Sequence, residues 1–267
     1  MPDNVSNDLN LSPYAGRWVA LVRGQVAGIG RTADQARRAA LVSRPKEKPE
    51  LRFVTVDSWQ ELSLLRQLWR LITDQGGDVL LVGGAVRDGL LGRPLRDLDF
   101  AVNGDATGLA AAISRVLRGA LVPLDEERDT ARVVFMHAGR RFYADFSRRQ
   151  GKNWYADLYA RDFTVNAIAV DAAGCYIDPL GGRDDLAAGE LRVTNANVFL
   201  ADPLRTLRAV RLSAELGLSI EGQTAAWVRR DGSLLPRVAA ERVRDEFVRI
   251  LAAPDAEHHL ATMDDLG

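Results

Sequence analysis

The sequence predicts an α+β protein, in which a mixed, largely antiparallel sheet with flanking helices is followed by an all-helical region. Strand patterns alternate with helical patterns in the middle of the chain, and from Asn197 onward the pattern is nearly all helical. Two strand patterns and one helical pattern near the N-terminus are set apart by a polar linker. We therefore predict three units: a small ββα module (residues 1–50), an α+β domain (residues 51–196) and a helical region (residues 197–267).

The N-terminal module is predicted from a hairpin pattern that is followed by a helical pattern. The strand patterns at residues 17–22 and 25–29 flank Arg23-Gly24, a dipeptide suited to a tight turn. Residues 32–42 have apolar positions at helical spacing. The segment 46–49 then closes the module as a linker. No residue pattern in the module carries recognisable chemistry, so we expect a packing or interaction role.

The elements of the α+β domain follow in chain order. They are an amphipathic helix at 57–73, a strand at 79–82, a short helix at 85–91, a strand that carries two aspartates, a helix at 107–117, a hairpin with strands at 130–136 and 141–146, a helix at 154–159, and a strand followed by a turn at 177–182. Trp59 and Trp69 are expected in the core. Cys175 lies in an apolar-looking stretch and is also expected to be buried.

Composition and charge exclude several classes of protein. The 267 residues carry a net charge of −1, so any contact with a nucleic acid must come from local basic surfaces. The one cysteine cannot form an internal disulfide, which is typical of a reducing compartment. There is neither an apolar run of membrane-spanning length nor the apolar stretch of a signal peptide. We expect a soluble cytoplasmic protein with no membrane partner, and the sequence leaves the oligomeric state open.

A paired glycine and a pair of aspartates predict a site for a metal-bound triphosphate. Gly83 and Gly84 follow an apolar strand, and without a Cβ atom the backbone can approach phosphate oxygens. Arg87 adds a forked charged donor one helical turn later. Asp97 and Asp99 are two apart on a strand, so their carboxylates face the same side and can hold Mg²⁺. Two such ions can align an attacking hydroxyl and neutralise departing pyrophosphate.

This stretch resembles the signature of the class II nucleotidyltransferases, the family that includes bacterial CCA-adding enzymes and poly(A) polymerases. Three later segments resemble the other motifs of that family, in the same order. The four segments are residues 82–101, 161–169, 202–211 and 240–251. The resemblance runs from about Leu80 to about Leu251. It implies that residues 51–196 form a nucleotidyltransferase head and that residues 197–267 form a helical neck that binds RNA.

The resemblance also implies an activity. The expected reaction is Mg²⁺-dependent, template-independent addition of C, A or both from CTP and ATP to an RNA 3′ end, with tRNA as the expected acceptor.

The specificity stays open, because the family motifs overlap among enzymes that add CCA, CC or A and those that add poly(A) tails. CCA-adding relatives commonly have a longer flexible loop in this region, so the short gap between Asp145 and Arg161 favours a CC-adding specialist or a divergent member of the family. Relatives continue into further helical domains, so this chain is a fragment or a minimal member. A nucleotide- or RNA-binding module with little turnover is the alternative of another class.

Asp97 and Asp99 are the predicted catalytic residues and metal ligands. By resemblance, Asp145 completes the acidic cluster as a further metal ligand. The alternative is that Asp145 pairs with Arg148 or Arg149 at the surface, and the sequence leaves the two interpretations even. Gly83, Gly84 and Arg87 are assigned to nucleotide binding.

The segment 161–169 supplies two further nucleotide-binding residues by resemblance. Arg161 is expected to contact the nucleotide, and Asp162 to orient the region near the ribose. A structural ion pair is the alternative for Asp162. Asn166 is expected to cap or tie the backbone.

Four charged residues at three-residue spacing are predicted to form a stripe on one helix: Asp202, Arg205, Arg208 and Arg211. In the family, the aspartate and the first arginine read the incoming base. A carboxylate can accept from the amino group of cytosine or adenine while a guanidinium donates to the ring nitrogen. Uracil and guanine would leave groups unpaired, which is costly. Arg208 and Arg211 are expected to position phosphate or to stabilise the helix. Ala201 stands where the family commonly has glutamate, which removes a supporting contact.

Overall fold

The computed structural model describes residues 11–14, 16–30, 33–54, 63–95 and 97–267. The strands are β1 (Arg17–Val22), β2 (Gln25–Gly30), β3 (Glu50–Val54), β4 (Val79–Val82), β5 (Asp97–Val102), β6 (Ala120–Asp125), β7 (Thr130–His137), β8 (Arg140–Arg148), β9 (Ala169–Val170), β10 (Tyr176–Ile177), β11 (Glu190–Leu191) and β12 (Ser219–Ile220). The helices are α1 (Ala33–Ser43), α2 (Ser63–Asp74), α3 (Gly84–Leu90), α4 (Ala106–Leu117), α5 (Trp154–Tyr159), α6 (Gly182–Ala188), α7 (Val198–Ala201), α8 (Arg205–Leu216), α9 (Gly222–Asp231), α10 (Ala240–Leu251) and α11 (Ala256–Leu266). None of the helices in these ranges is long and apolar enough to cross a membrane.

A seven-stranded sheet in the order β10-β9-β4-β5-β8-β7-β6 forms the centre of the molecule. All neighbouring strands are antiparallel except β5 and β8, which run parallel. The predicted mixed, largely antiparallel sheet with flanking helices is therefore confirmed. The parallel pair has a direct consequence for the site, because it places two acidic strand positions side by side.

The predicted hairpin of the N-terminal module is present as β1 and β2. β1 also pairs with β3, so the small sheet has the order β2-β1-β3 and gains a third strand from residues 50–54. The predicted boundary at residue 50 falls where β3 begins. The sequence did not indicate this strand, because a five-residue segment between a polar linker and a helical pattern gives a weak periodic signal.

Other features also differ from the sequence analysis, which did not predict the short elements α6, β9, β11 and β12. The predicted helix at 57–73 is seen as α2 from Ser63, and the positions before it, Trp59 among them, lie outside the described residues. β6 was missed, because it is an exposed edge strand interrupted by Pro123. The prediction for Cys175 was wrong: its side chain is exposed, since it lies in the turn between β9 and β10. Trp69 is half-buried and packs edge-on against Phe100.

The region after Asn197 is largely helical, as predicted, and α8 packs against α10. One detail of the base-reading stripe was wrong. Asp202 does not lie on the helix with the arginines but ends the short helix α7 in an extended conformation, and α8 begins at Arg205. Pro203 explains the break, because the residue before a proline is disfavoured in the helical conformation.

Candidate active site

The paired glycine lies where β4 ends and α3 begins. Gly83 has φ +69° and ψ −140°, a backbone conformation that only glycine adopts without strain. A methyl group built on Gly83 would lie 3.3 Å from a terminal nitrogen of Arg161 and 3.4 Å from Oδ2 of Asp99. The missing side chain therefore keeps open a space between a guanidinium and a carboxylate.

The aspartate pair begins the strand next to this turn. Asp99 on β5 is the register partner of both Val82 on β4 and Asp145 on β8. The pKa of Asp99 is raised to about 6, chiefly by burial and then by the neighbouring carboxylates of Asp145 and Asp97, while Arg161 and Arg87 act in the opposite direction. Asp97 is exposed at the end of the strand. Clustered carboxylates of this kind are costly unless a cation neutralises them.

Asp145 is held by an arginine on the adjacent strand. Nε and Nη2 of Arg132 donate to its two carboxylate oxygens at 2.7 and 2.8 Å. The predicted alternative partners were wrong, because Arg148 pairs with Asp129 and Arg149 bonds Asn103 and Gly151. Cross-strand register explains the choice, since Arg132 lies directly opposite Asp145.

The metal role of Asp145 stays a prediction. Among the described residues, no three His, Cys, Asp or Glu side chains are grouped closely enough to hold a metal ion. Asp97 and Asp99 nevertheless fit a divalent cation, because both carboxylates lie on the same face of β5 and offer oxygen ligands. Within the described residues, no cationic side chain donates a hydrogen bond to the carboxylate of Asp99. Both oxygens of Asp145 already accept from Arg132, so a metal ion would share this carboxylate with Arg132 or displace it.

Arg87 is nearly buried and is held in place on both sides. Its Nε donates to Asp88 at 2.9 Å, and its Nη1 donates to Oδ1 of Asn166 at 2.6 Å. The amide nitrogen of Asn166 in turn donates to Asp162 at 3.0 Å. The prediction that Asn166 ties the backbone was wrong, because its amide connects the side chains of Arg87 and Asp162.

Arg161 is oriented by a residue that the sequence analysis missed. Oδ2 of Asp157 on α5 accepts from Nε and Nη2 of Arg161, at 3.2 and 2.9 Å. This pair leaves Nη1 directed towards Gly83. The signal was available in the sequence, since residues four apart on a helix or its end are neighbours.

Asp162 forms the ion pair that the sequence analysis gave as its alternative. Its carboxylate accepts from Nε and Nη2 of Arg208 on α8, and from the backbone N–H of Phe163. Burial by itself would raise the pKa of Asp162, but Arg208, Asn166 and this N–H group hold the pKa below its ordinary value. Burial by itself would lower the pKa of Arg208, but the pairing with Asp162 raises this pKa above its ordinary value.

The other residues of the predicted stripe have different surroundings. Arg211 is buried and pairs with Glu246 and Glu215, so it stabilises the packing of α8. Asp202 accepts from Arg242 of α10 at 2.9 Å. The guanidinium of Arg205 has no hydrogen-bond or ion-pair partner within the described part of the chain, and only the backbone N–H of this residue donates, to the carbonyl of Asp202.

A cleft of about 350 Å³ gathers much of this set. The predicted residues that line it are Gly83, Gly84, Asp99, Arg161, Asp162, Arg205 and Arg208. A second cavity shares Gly84, Asp99 and Arg208 with the first, and adds Arg87, Asp97 and Arg211. Asp202 lines neither and faces a third cavity, which it shares with Arg205. The structure thus brings the glycines, the aspartates and the arginines together, and places Asp202 at the border of the site.

Two protein-family models match the chain in order. The poly A polymerase head domain matches residues 79–192, and the region described as "Probable RNA and SrmB- binding site of polymerase A" matches residues 217–267. The chain belongs to the class II nucleotidyltransferases of the CCA-adding enzyme and poly(A) polymerase family. The first match lies within the predicted head (residues 51–196) and the second within the predicted helical region (residues 197–267). The boundary between the two stays a prediction.

Relatives of this family member differ in what they add. A CC-adding tRNA nucleotidyltransferase of Geobacter sulfurreducens is 43% identical over 70% of this chain and 43% of its own length. An A-adding tRNA nucleotidyltransferase of Deinococcus radiodurans is 41% identical over 70% of this chain and 43% of its own length. The Thermotoga maritima CCA-adding enzyme, solved in complex with tRNA, has a TM-score of 0.70 and 33% identity over 78% of this chain and 51% of that one. The chain spans about half the length of the relatives it matches.

Proposed function

We propose that this family member is a tRNA nucleotidyltransferase, which adds C, A or both from CTP and ATP to the 3′ end of tRNA and releases pyrophosphate. The observation that carries the proposal is the cleft in which Asp99 and Arg161 meet across the gap left by Gly83. The names of the relatives support tRNA as the acceptor. An enzyme that matures tRNA works where tRNA is used, so the proposal includes a cytoplasmic location.

The proposed mechanism relies on charge and position. Asp97 and Asp99 would hold Mg²⁺, which lowers the pKa of the attacking hydroxyl and neutralises the leaving group when it is bound. The backbone at Gly83 and Gly84 accommodates phosphate oxygens, since no side chain stands in the way. Arg161, fixed by Asp157, donates to the triphosphate and offsets its negative charge.

Base selection is assigned to the border of the cleft. Arg205 donates to the ring nitrogen of cytosine or adenine, and Asp202 accepts from the exocyclic amino group. The lack of a partner for the guanidinium of Arg205 in the described structure supports this role, because its donors are available to a ligand. Asp202 must turn towards the cleft or share its carboxylate with Arg242, to which it is bonded.

The first test is incorporation of labelled CTP and ATP into tRNA that lacks its 3′ end. The double variant Asp97→Ala/Asp99→Ala should lose activity by a factor of at least about 10³, because metal coordination contributes several kcal/mol to phosphoryl transfer. Asp264→Ala/Asp265→Ala removes the same charge from an exposed part of α11 and should retain activity. Activity that persists in the Asp97/Asp99 variant would disprove the mechanism. Nucleotide binding without turnover in the wild type would identify a binding module instead.

The second test separates the specificities. Product sequencing with CTP alone, ATP alone and both distinguishes CC, A, CCA and poly(A) addition. Arg205→Ala should relax the selection against UTP and GTP by about tenfold to a hundredfold, as expected for one lost hydrogen bond to a charged group. Unchanged selection in this variant would remove Arg205 from base reading.

A further inference from the structure

The N-terminal module, which neither family model covers, is net basic. Residues 11–54 contain nine Lys and Arg residues but only three Asp and Glu residues, a net charge of +6 in a chain whose total is −1. The rest of the chain is therefore net acidic. A protein that handles RNA must obtain its electrostatic attraction from local basic surfaces.

Four cationic side chains of the module are exposed. Arg37 and Arg38 lie on α1, and Lys46 and Lys48 lie in the segment that follows it. We call these four residues the basic face. Glu47, in the same segment, pairs with Arg23 and Arg44.

The module is anchored beside the neck. Trp18 of β1 is almost fully buried, and it packs so closely on Gly189 that a methyl group there would lie 2.5 Å from the indole ring. The carbonyl of Gly189 accepts from the N–H of Ser219 at 2.8 Å. Ser219 lies at the start of the region matched by the RNA-binding family model. The basic module is thus fixed next to the neck rather than tethered by a loose linker.

We propose that the basic face is an additional RNA-binding surface, which contacts the phosphate backbone of the RNA whose 3′ end enters the cleft. The proposal depends on the proposed function for the identity of the RNA. Contacts to phosphates are independent of sequence, so the surface adds affinity for tRNA without affecting which nucleotide is added. Each neutralised phosphate also releases counterions, which gives the contact a measurable salt dependence.

The test compares two full-length variants of equal charge. Arg37→Gln/Arg38→Gln/Lys46→Gln/Lys48→Gln neutralises the basic face. Arg115→Gln/Arg118→Gln/Arg140→Gln/Arg141→Gln neutralises four exposed arginines of the head domain and serves as the matched control. A third variant, Lys46→Gln/Lys48→Gln, leaves α1 intact and should give about half the effect.

Binding of tRNA that lacks its 3′ end is measured by filter binding between low and moderate KCl. The basic-face variant should bind about tenfold more weakly at physiological salt, and the slope of log K against log [KCl] should fall by about 3 in magnitude. Its thermal stability, its affinity for CTP and its turnover on a short single-stranded RNA primer should match the wild type. The control variant should retain most of its tRNA affinity and slope.

Two outcomes would overturn the proposal: tRNA binding by the basic-face variant equal to that of the wild type, or a loss no larger than that of the control. Flotation with phosphatidylcholine vesicles that contain phosphatidylserine tests the competing anionic surface. Vesicle binding lost in the variant with unchanged tRNA binding would assign the basic face to a membrane. Failure of the proposed function is distinguishable, because it would leave the wild type without nucleotide incorporation on any RNA, whatever the binding slopes.

Discussion

Nε and Nη2 of Arg208 both donate to Oδ2 of Asp162, at 3.1 and 2.7 Å. The pair joins the segment after α5 to helix α8, and thereby joins the predicted head to the predicted neck. On the head side, Asn166 links Asp162 to Arg87 beside the paired glycine. On the side of α8, Oε1 of Glu246 on α10 lies 3.7 Å from Nη1 of Arg208. Residues at the nucleotide site are thus connected by direct side-chain contacts to the helices proposed to read the base.

Breaking this pair should destabilise the protein. Arg208→Gln should lower the free energy of unfolding by about 2 kcal/mol, because it leaves the buried carboxylate of Asp162 only partly satisfied. Asp162→Asn should cost somewhat less, about 1 kcal/mol, because the Arg208 side chain is half-buried and water can replace part of the lost interaction. The double variant should lose at least about 1 kcal/mol less than the sum of the two. Urea denaturation of the wild type, the two single variants and the double variant at pH 7 measures these losses. Additive losses of unfolding free energy would mean that the two residues act independently.

The same pair predicts a pH dependence. Because the pKa of Asp162 is lower in the folded protein than its ordinary value, its stabilisation is complete above that value and is lost as the pH falls. The difference in unfolding free energy between wild type and Asp162→Asn should therefore shrink below about pH 4. A difference that stays constant between pH 7 and pH 3 would exclude this electrostatic origin.

Asp99 should affect the pH dependence of stability in the opposite direction. Its pKa in the folded protein is about 6 against an ordinary 3.8, so folding without a bound cation becomes less favourable as the pH rises through this range. In the presence of a chelator, Asp99→Asn should be more stable than the wild type by up to about 3 kcal/mol above pH 6, and by nothing below about pH 4. Thermal denaturation across pH checks this, and adding Mg²⁺ should stabilise the wild type alone.

Gly83→Ala should damage both stability and nucleotide binding. The variant must strain the backbone at φ +69° and place a methyl group between Arg161 and Asp99, at an expected cost of about 1–3 kcal/mol. Gly76→Ala is the matched control, because Gly76 has φ +71° but faces open space. The control should be destabilised yet retain its affinity for CTP. Equal losses of CTP affinity in the two variants would refute the assigned role of the gap at Gly83.

Arg242 is predicted to position Asp202. Arg242→Ala removes the donor that holds this carboxylate at 2.9 Å and should raise KM for CTP and ATP about fivefold to tenfold, with kcat little changed. Stability should change little, because the Arg242 side chain is more than half exposed. Arg244→Ala on the same helix is the control, since Arg244 pairs only with its neighbour Asp245 among the described residues. An unchanged KM in Arg242→Ala would show that the pair is a surface contact without a role in binding.

The features that could be predicted best from the sequence are those in which a residue type serves one physical purpose. The Gly83-Gly84 turn and the spacing of Asp97 and Asp99 placed the strand, the turn and the carboxylates next to each other, because local geometry follows from spacing of two or three residues. Prediction failed for β3 and β6, which are short strands with weak periodicity. It also failed for Cys175, since an apolar neighbourhood in the sequence does not determine which way a turn faces.

Motifs and periodicity in the sequence identified the family, the mixed sheet with flanking helices and the residues suited to metal and nucleotide binding, but not short strands such as β3 and β6. The partners of those residues are seen in the tertiary structure alone. Asp145 lies opposite Arg132 because of the register between β7 and β8. Asp162 contacts Arg208 because α8 lies beside the segment after α5. Hydrogen bonds between residues far apart in the chain depend on the relative placement of whole elements, which a linear pattern does not encode.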